Sequence, residues 1–295
     1  MRSGGFLRVL AALALVAQPA AQAGSSEATA RPRIEITWAG GATMLIEFHD
    51  LTILTDPALG AEGFSMGDPN VSDLHTVKLH RRLTAFRGVA LQAVDLVLLS
   101  HAHEDHFDQK AQASLDPALP IVLPTADVEA LKAKGFQHLD DLKWGEMRQF
   151  DAGTGRVNIT ATIAHHSRDP QTAKMLGVGN GYWIEFSDGD WKRRMYWTGD
   201  TLPTSDVVEA IRSLGEPDLM VPNVGGVGTT GPLGQISMGA DDVVALAAEI
   251  RPRWVLPIHH STYAFYREPI SELVAKSRGK PYRLVIAEGT TTVYD

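Results

Sequence analysis

Within Ser100-His101-Ala102-His103-Glu104-Asp105-His106, three imidazoles and one carboxylate occupy His101, His103, Asp105 and His106. Imidazole and carboxylate together are the ligands of zinc and its first-row neighbours. Residues two apart share a strand face and residues four apart share a helix face. No regular element can therefore turn all four toward one centre, and a loop with turned backbone must gather them. The preceding run, Val94-Asp95-Leu96-Val97-Leu98-Leu99, is short, apolar and compatible with a buried strand. The motif then lies where a strand ends, the usual place for a site in a layered α/β fold.

Four more of the eleven histidines form two doublets, His165-His166-Ser167 and His259-His260-Ser261. Each follows an apolar or β-branched segment, residues 157–163 and 254–258, so both read as strand ends. Asp200, in Tyr196-Trp197-Thr198-Gly199-Asp200-Thr201, ends another β-rich run. The four groups of the motif, one histidine from each doublet and Asp200 are too many for one tetrahedral ion. They suit two ions that share an activated water. His/Asp sets accept zinc, manganese or iron, with zinc the first expectation.

The order of these residues resembles the metallo-β-lactamase superfamily. Residues 36–46 (Ile36-Thr37-Trp38-Ala39-Gly40-Gly41-Ala42-Thr43-Met44-Leu45-Ile46), the segment Ile53-Leu54-Thr55-Asp56-Pro57 and the ending His259-His260-Ser261-Thr262-Tyr263 resemble the branch that contains L-ascorbate-6-phosphate lactonase and N-acyl phosphatidylethanolamine phospholipase D. The resemblance spans residues 33 to 295 and departs at Gly41, where that branch often carries a histidine. It implies an α/β fold, the four-layer αββα sandwich. It also implies that His101, His103 and His165 hold one ion, that Asp105, His106 and His259 hold the other, and that Asp200 bridges them. The leading histidine of each doublet is the ligand because the family motifs place it there. His166 and His260 are then neighbouring hydrogen-bonding groups or substrate contacts, and Arg168 is a candidate contact for an anionic substrate.

The implied activity is metal-dependent hydrolysis of a phosphodiester, lactone or other ester in a small-molecule or lipid-like substrate. Asp105 and Asp200 are the catalytic carboxylates, with Asp105 steering a proton from the attacking water to the leaving group. A periplasmic β-lactamase shares the signature up to Asp200; a bridging carboxylate there weighs against it, because the true β-lactamases lack one. A metal-binding or sensing protein without turnover is the alternative of a different class.

Composition agrees with one folded domain. The chain has 295 residues, with 44% hydrophobic and 21% charged side chains, ordinary values that argue against disorder. A net charge of -8 without a basic stripe argues against nucleic acid as partner. Arg2 and Arg8, the apolar stretch from Val9 to Ala17 and Ala21-Gln22-Ala23 read as a secretory signal peptide over residues 1–23. A short linker, 24–32, follows, and the hydrolase-like domain covers 33–295. The apolar core of the leader is too short for a typical membrane span, and no later window reaches the roughly 18 apolar residues that a span requires. With no cysteine, the expectation is a periplasmic or secreted protein without lipid attachment or disulfides.

The remaining elements follow from pattern. Residues 33–38, 43–48 and 51–55 predict three successive strands. Residues 57–94 predict a partly ordered cover near the site. Thr125 is expected to cap a helix that ends at Gly135. Residues 182–187 and 193–199 predict a hairpin around Asp188-Gly189. A helix near 206–213, a buried strand at 218–221 and a helix at 240–250 complete the second half. The glycine-rich stretch from Val224 to Gly234 lacks the Gly-Lys-Ser/Thr ending of a phosphate-binding loop.

Overall fold

In Ile34–Gly40 the alternate residues Ile34, Ile36 and Trp38 are buried and their neighbours half-exposed. A strand covered on one side has this period of two. The computed structural model describes Met1 and residues 31–295. The expected leader beyond Met1, and most of the linker, lie outside the described residues. Ile34–Gly40, Thr43–Phe48 and Leu51–Thr55 form the expected meander. Its first turn uses Gly40 and Gly41 at φ 105° and 57°, backbone that favours glycine.

The meander is the middle of a seven-stranded mixed sheet. Thr291–Tyr294 pairs antiparallel with Ile34–Gly40 at one edge. On the other side Leu96–Leu98, Ile121–Pro124 and Leu139–Leu142 follow in parallel. A second seven-stranded sheet runs from Met147–Ala152 through Gly155–Ala164, Gly179–Asp188, Trp191–Trp197, Leu219–Val221 and Trp254–Val255 to Arg283–Leu284. Its first four strands are antiparallel and its last pairings parallel.

The inner faces share one core, in which Ile36, Met44 and Ile53 of the first sheet join Ile159, Ile184 and Trp197 of the second. Outside the second sheet, Ile211, Val243, Leu246 and Leu273 bring helices Ser205–Leu214, Ala240–Ile250 and Ile270–Lys276 onto Trp183 and Met220. Outside the first, Ala111 and Leu131 bring the shorter helices Gln109–Ser114 and Val128–Ala133 onto Val97, Leu99 and Leu123. Helix, sheet, sheet and helix are thus stacked as the four-layer αββα sandwich, each amphipathic element burying its apolar face. Among the described residues no helix is long and apolar enough to cross a membrane.

Two local expectations need correction. Residues 57–94 contain a two-stranded ribbon, Gly63–Met66 against Lys78–Arg81, which sits over the end of the sandwich through Phe64 on Tyr263 and Phe265. Thr125 does not cap the helix. It opens a 3-10 turn, Thr125–Asp127, ahead of Val128–Ala133, and its hydroxyl donates to Asp141 (2.6 Å). The carboxylate of Asp127 instead accepts from the Ala102 N–H (3.1 Å), between two histidines of the motif.

The second sheet reaches across to hold the start of that motif. The buried Tyr182 hydroxyl donates to Leu99 O (2.6 Å), and Asn180 N–H donates to Ser100 O (2.8 Å). Tyr182→Phe leaves a buried carbonyl without its donor, so the expected loss of stability is about 1–3 kcal/mol. The midpoint of urea unfolding measures it, and a midpoint unchanged from the parent protein contradicts this role.

Candidate metal centre

The stretch from Leu99 to Asp108 is a tight turn between strand Leu96–Leu98 and helix Gln109–Ser114. The His103 carbonyl accepts from the N–H groups of both His106 (2.9 Å) and Phe107 (2.7 Å). Asp108 caps the helix through Ala111 N (2.7 Å) and also accepts from Gly60 N (2.6 Å). This coiling does what an extended strand cannot, bringing His101, His103, Asp105 and His106 toward one space.

Two sets of ligand-type atoms result, each lying within 4.8 Å of one another: His101, His103 and His166, and Asp105, His106, Asp200 and His259. Asp200 Oδ2 lies 3.4 Å from His106 Nε2, 3.9 Å from His259 Nε2 and 3.6 Å from His166 Nε2, so it faces both sets. Asp105 Oδ2 lies 3.5 Å from His106 Nε2 and 3.4 Å from His259 Nε2. These separations are long for hydrogen bonds. They match the edge of about 3.3 Å that bonds of 2.0–2.1 Å make around a tetrahedral ion. The Nε2 atoms of His101 and His106 are buried without a hydrogen-bond partner among the described residues. Buried polar atoms are seldom left so, and a divalent ion satisfies both.

The far nitrogen of each ring explains its aim. His106 Nδ1 donates to Asp56 Oδ2 (2.6 Å), and Asp56 also accepts from Ser100 N (2.7 Å) and Ser100 Oγ (2.6 Å). His101 Nδ1 donates to Ser100 Oγ (3.0 Å). His259 Nδ1 donates to Val224 O (2.8 Å) and His166 Nδ1 to Ile236 O (2.7 Å). With Nδ1 committed to an acceptor, the Nε2 lone pair faces inward, the arrangement that orients metal-binding imidazoles. Asp200 is held similarly: Asn223 Nδ2 donates to its Oδ1 (2.8 Å), and Trp197 Nε1 donates to Asn223 Oδ1 (3.1 Å).

Burial raises the carboxyl of Asp56, with the His106 imidazole only partly offsetting it. Asp105 and Asp200 are buried as well, yet His106 and His259 hold both well below the usual carboxylate range. Burial opposes charge on His106, but Asp105, Asp200 and Asp56 outweigh it and hold this imidazole well above its ordinary value. His259 is raised in the same way by Asp200 and Asp105. Burial and neighbouring imidazoles lower His101 strongly and His103 to about 4, so at neutral pH both rings keep free lone pairs.

The structure exchanges the two residues of the first doublet. His165 N–H donates to Thr201 Oγ1 (2.8 Å) and its carbonyl accepts from Leu202 N (2.9 Å). That pairing leaves its ring outside the cluster, against Asp206 (2.7 Å). His166 turns inward instead and joins His101 and His103, so it is not a separate substrate contact. In the second doublet His259 is the inward residue. Its φ of 62° is left-handed, and its N–H donates to Gly41 O (2.8 Å). His260 packs on Trp38 at 4.6 Å between ring centres and bonds Ser261 Oγ (2.8 Å), and burial lowers it to about 4. It does not line the cavity above the cluster. Arg168 is outside the cavity lining too, held at the surface by Asp242 (2.6 Å) and Gln235 (3.4 Å).

Asp56, Asn223 and Asp127 are the positioning residues that sequence reasoning missed. For Asp56 a signal existed: an aspartate directly after a β-branched strand, in Leu54-Thr55-Asp56-Pro57. The glycine-rich stretch also acquires a role, because its Val224 carbonyl and the nearby Ile236 carbonyl orient two rings. At Gly225, φ 111°, a Cβ would come within 2.7 Å of His259 O, so only glycine brings the chain that close. Above the cluster is a cavity of about 220 Å³, with His103, Asp105, His166 and Asp200 in its wall.

Two expectations follow from this geometry. Metal content after dialysis should fall in His166→Ala and persist in His165→Ala, with Asp56→Ala costing about ten- to a hundredfold in affinity; the opposite order in the doublet overturns the exchange. An ion must also displace the protons that the carboxylates hold on His106 and His259. His106, held well above its ordinary value, carries its proton at neutral pH, and His259 keeps its proton to higher pH than a free imidazole. Ion uptake should therefore release protons at pH 7, and affinity should climb as pH rises toward and through the raised values. Calorimetry in buffers of different ionisation enthalpy counts the protons; uptake with none released at pH 7 contradicts the assignment.

Sequence and structure comparisons agree with this architecture. A family model described as "Beta-lactamase superfamily domain" matches residues 35–259. A UPF0173 metal-dependent hydrolase of Salinibacter ruber is 26% identical over 232 residues, covering 78% of this chain and 86% of its own. Another, from Cupriavidus taiwanensis, is 33% identical over 187 residues, covering 59% and 60%. Among solved structures, an isothiocyanate hydrolase from Delia radicum gut bacteria superposes with a TM-score of 0.73 at 24% identity, covering 88% of this chain and 99% of its own. A metallo hydrolase from Ignicoccus hospitalis gives 0.61 at 22% identity, covering 89% and 99%. The fold, the convergent His/Asp cluster and the family match over most of the chain lead to one conclusion: the protein is a member of the metallo-β-lactamase superfamily.

Proposed function

We propose that this chain is a hydrolase that holds two divalent ions, zinc foremost, and cleaves a lactone, phosphodiester or other ester of a small molecule. The observation that carries the reading is Asp200 Oδ2, which stands 3.6 Å from His166 Nε2 in one set and 3.4 Å from His106 Nε2 in the other. One carboxylate oxygen facing two imidazole sets is the arrangement of a bridging ligand. His101, His103 and His166 would hold one ion and Asp105, His106 and His259 the other. Bound there, the ions supply Lewis acidity toward the substrate oxygen and activation of water. The names of the Salinibacter and Ignicoccus proteins, a metal-dependent hydrolase and a metallo hydrolase, support the same reaction class.

The protein's own part is positioning and proton transfer. Asn223 fixes Asp200 through Oδ1 and leaves Oδ2 for the bridge. Asp105 is in the cluster and in the cavity wall, and neighbouring imidazoles keep it ionised at neutral pH. It is therefore placed to take a proton from the attacking water and pass it to the departing oxygen. Such a group contributes about 10²–10⁴-fold to a hydrolysis rate.

Asp200→Asn removes the bridging charge while keeping the shape of the side chain. The expected outcome is a folded protein with about one ion per chain in place of about two, and hydrolysis reduced by at least about a hundredfold. Metal analysis beside turnover of an ester and phosphodiester panel measures both. Two retained ions with undiminished activity would refute the assignment.

A further inference from the structure

The walls of the cavity above the cluster differ in character from its floor. The floor carries His103, Asp105, His166 and Asp200, whereas the walls are built by Leu74 of the cover, Leu176 of the short helix Pro170–Leu176, Leu233 near the end of the glycine-rich stretch, Ile236 just after it, and Phe265. Among the described residues no lysine or arginine lines the cavity, and its one charged group outside the cluster is Glu104. Nearby cations are engaged elsewhere. Lys78 is paired with Asp68 (2.5 Å), Arg168 with Asp242, and the buried Arg82 contacts Ala39 O behind Tyr263. A charged group entering an apolar wall without a partner loses its hydration and regains little. An apolar group entering the same wall gains about 0.8 kcal/mol per buried methylene, close to fourfold in affinity. At about 220 Å³ the space is smaller than the roughly 300–1,000 Å³ of clefts that take drug-sized ligands.

We infer that the substrate bears, beside its reacting bond, a compact uncharged apolar group, which the Leu74–Leu233–Phe265 wall receives, and that substrates with an anionic group in that position are poor ones. The inference rests on the hydrolase reading, because it takes the reacting carbonyl to lie over the cluster. It names the group beside the reacting bond and makes Leu74 and Leu233, both half-buried at the rim, the specificity-determining residues.

The test pairs turnover with binding on metal-loaded protein. For p-nitrophenyl acetate, butyrate and hexanoate, kcat/KM should rise by about fourfold per methylene until the cavity is full, and the hexanoate should exceed the same ester carrying a terminal sulfonate by at least about tenfold. Independently of turnover, calorimetry should show hexanamide binding at least about tenfold more tightly than the same amide carrying a terminal sulfonate, a poor metal ligand. Leu233→Arg, with unchanged metal content, should shrink both preferences. Equal or faster turnover of the sulfonate-bearing ester, or equal binding of the two amides, overturns the inference. Preferential binding of hexanamide without turnover of any ester leaves the pocket assignment standing and counts against the hydrolase reading instead.

Discussion

Three carboxylates, Asp56, Asp105 and Asp200, are buried around the single imidazole of His106, at 2.6, 3.5 and 3.4 Å. Removing that much negative charge from water costs several kcal/mol per group unless positive charge and hydrogen bonds balance it. The proton that the carboxylates hold on His106 supplies such a balance, and a divalent ion among these groups would supply the same positive charge. Much of the surrounding architecture serves this balance. Ser100 donates to both oxygens of Asp56, and Asn223 takes Oδ1 of Asp200, which leaves the Oδ2 of Asp200 toward His106.

The sandwich makes such a centre possible because its core and its rim have different tasks. Between the sheets, strands of alternating buried residues pack mostly aliphatic and aromatic side chains, and this block sets where each strand ends. Past the strand ends the chain leaves regular geometry: a helical turn at 103–107, left-handed backbone at His259 and Ser261, and glycines at 225 and 226 with positive φ. Conformations of this kind cost free energy and persist where their surroundings over-determine them. Here the His259 N–H to Gly41 O bond and the Val224 carbonyl at its ring supply that support. The site is thus irregular backbone clamped to a regular frame.

The cavity draws on a third part of the molecule. Its floor belongs to the cluster, while its walls come from the cover ribbon region, the helix after the first doublet and the loop after the glycine-rich stretch. Phe64, Tyr263 and Phe265 join these segments into one apolar cluster that is separate from the core between the sheets. The walls can therefore change in size or polarity without disturbing the strands that carry the ligands, as expected where function is grafted onto a shared scaffold.

Short-range features were legible in the sequence. The spacing of His101, His103, Asp105 and His106 demanded a turned loop after a strand, and apolar alternation and turn glycines located the meander and the hairpin around Gly189. The amphipathic pattern placed helix Ala240–Ile250 to the residue. These are local properties, set by neighbours within one or two turns of chain. The choice within each doublet was not local. Sequence placed the ligand at His165 and His259, and the structure turns His166 and His259 inward, because ring direction depends on acceptors 70 and 35 residues away, Ile236 O and Val224 O. Asp56 reaches His106 across 50 residues, and Asn223 reaches Asp200 across 23. The residue types able to bind metal can be read along the chain. Which of them face the centre is decided by carbonyls and side chains that only the packed sheets bring near, since an imidazole presents one nitrogen inward only when something holds the other.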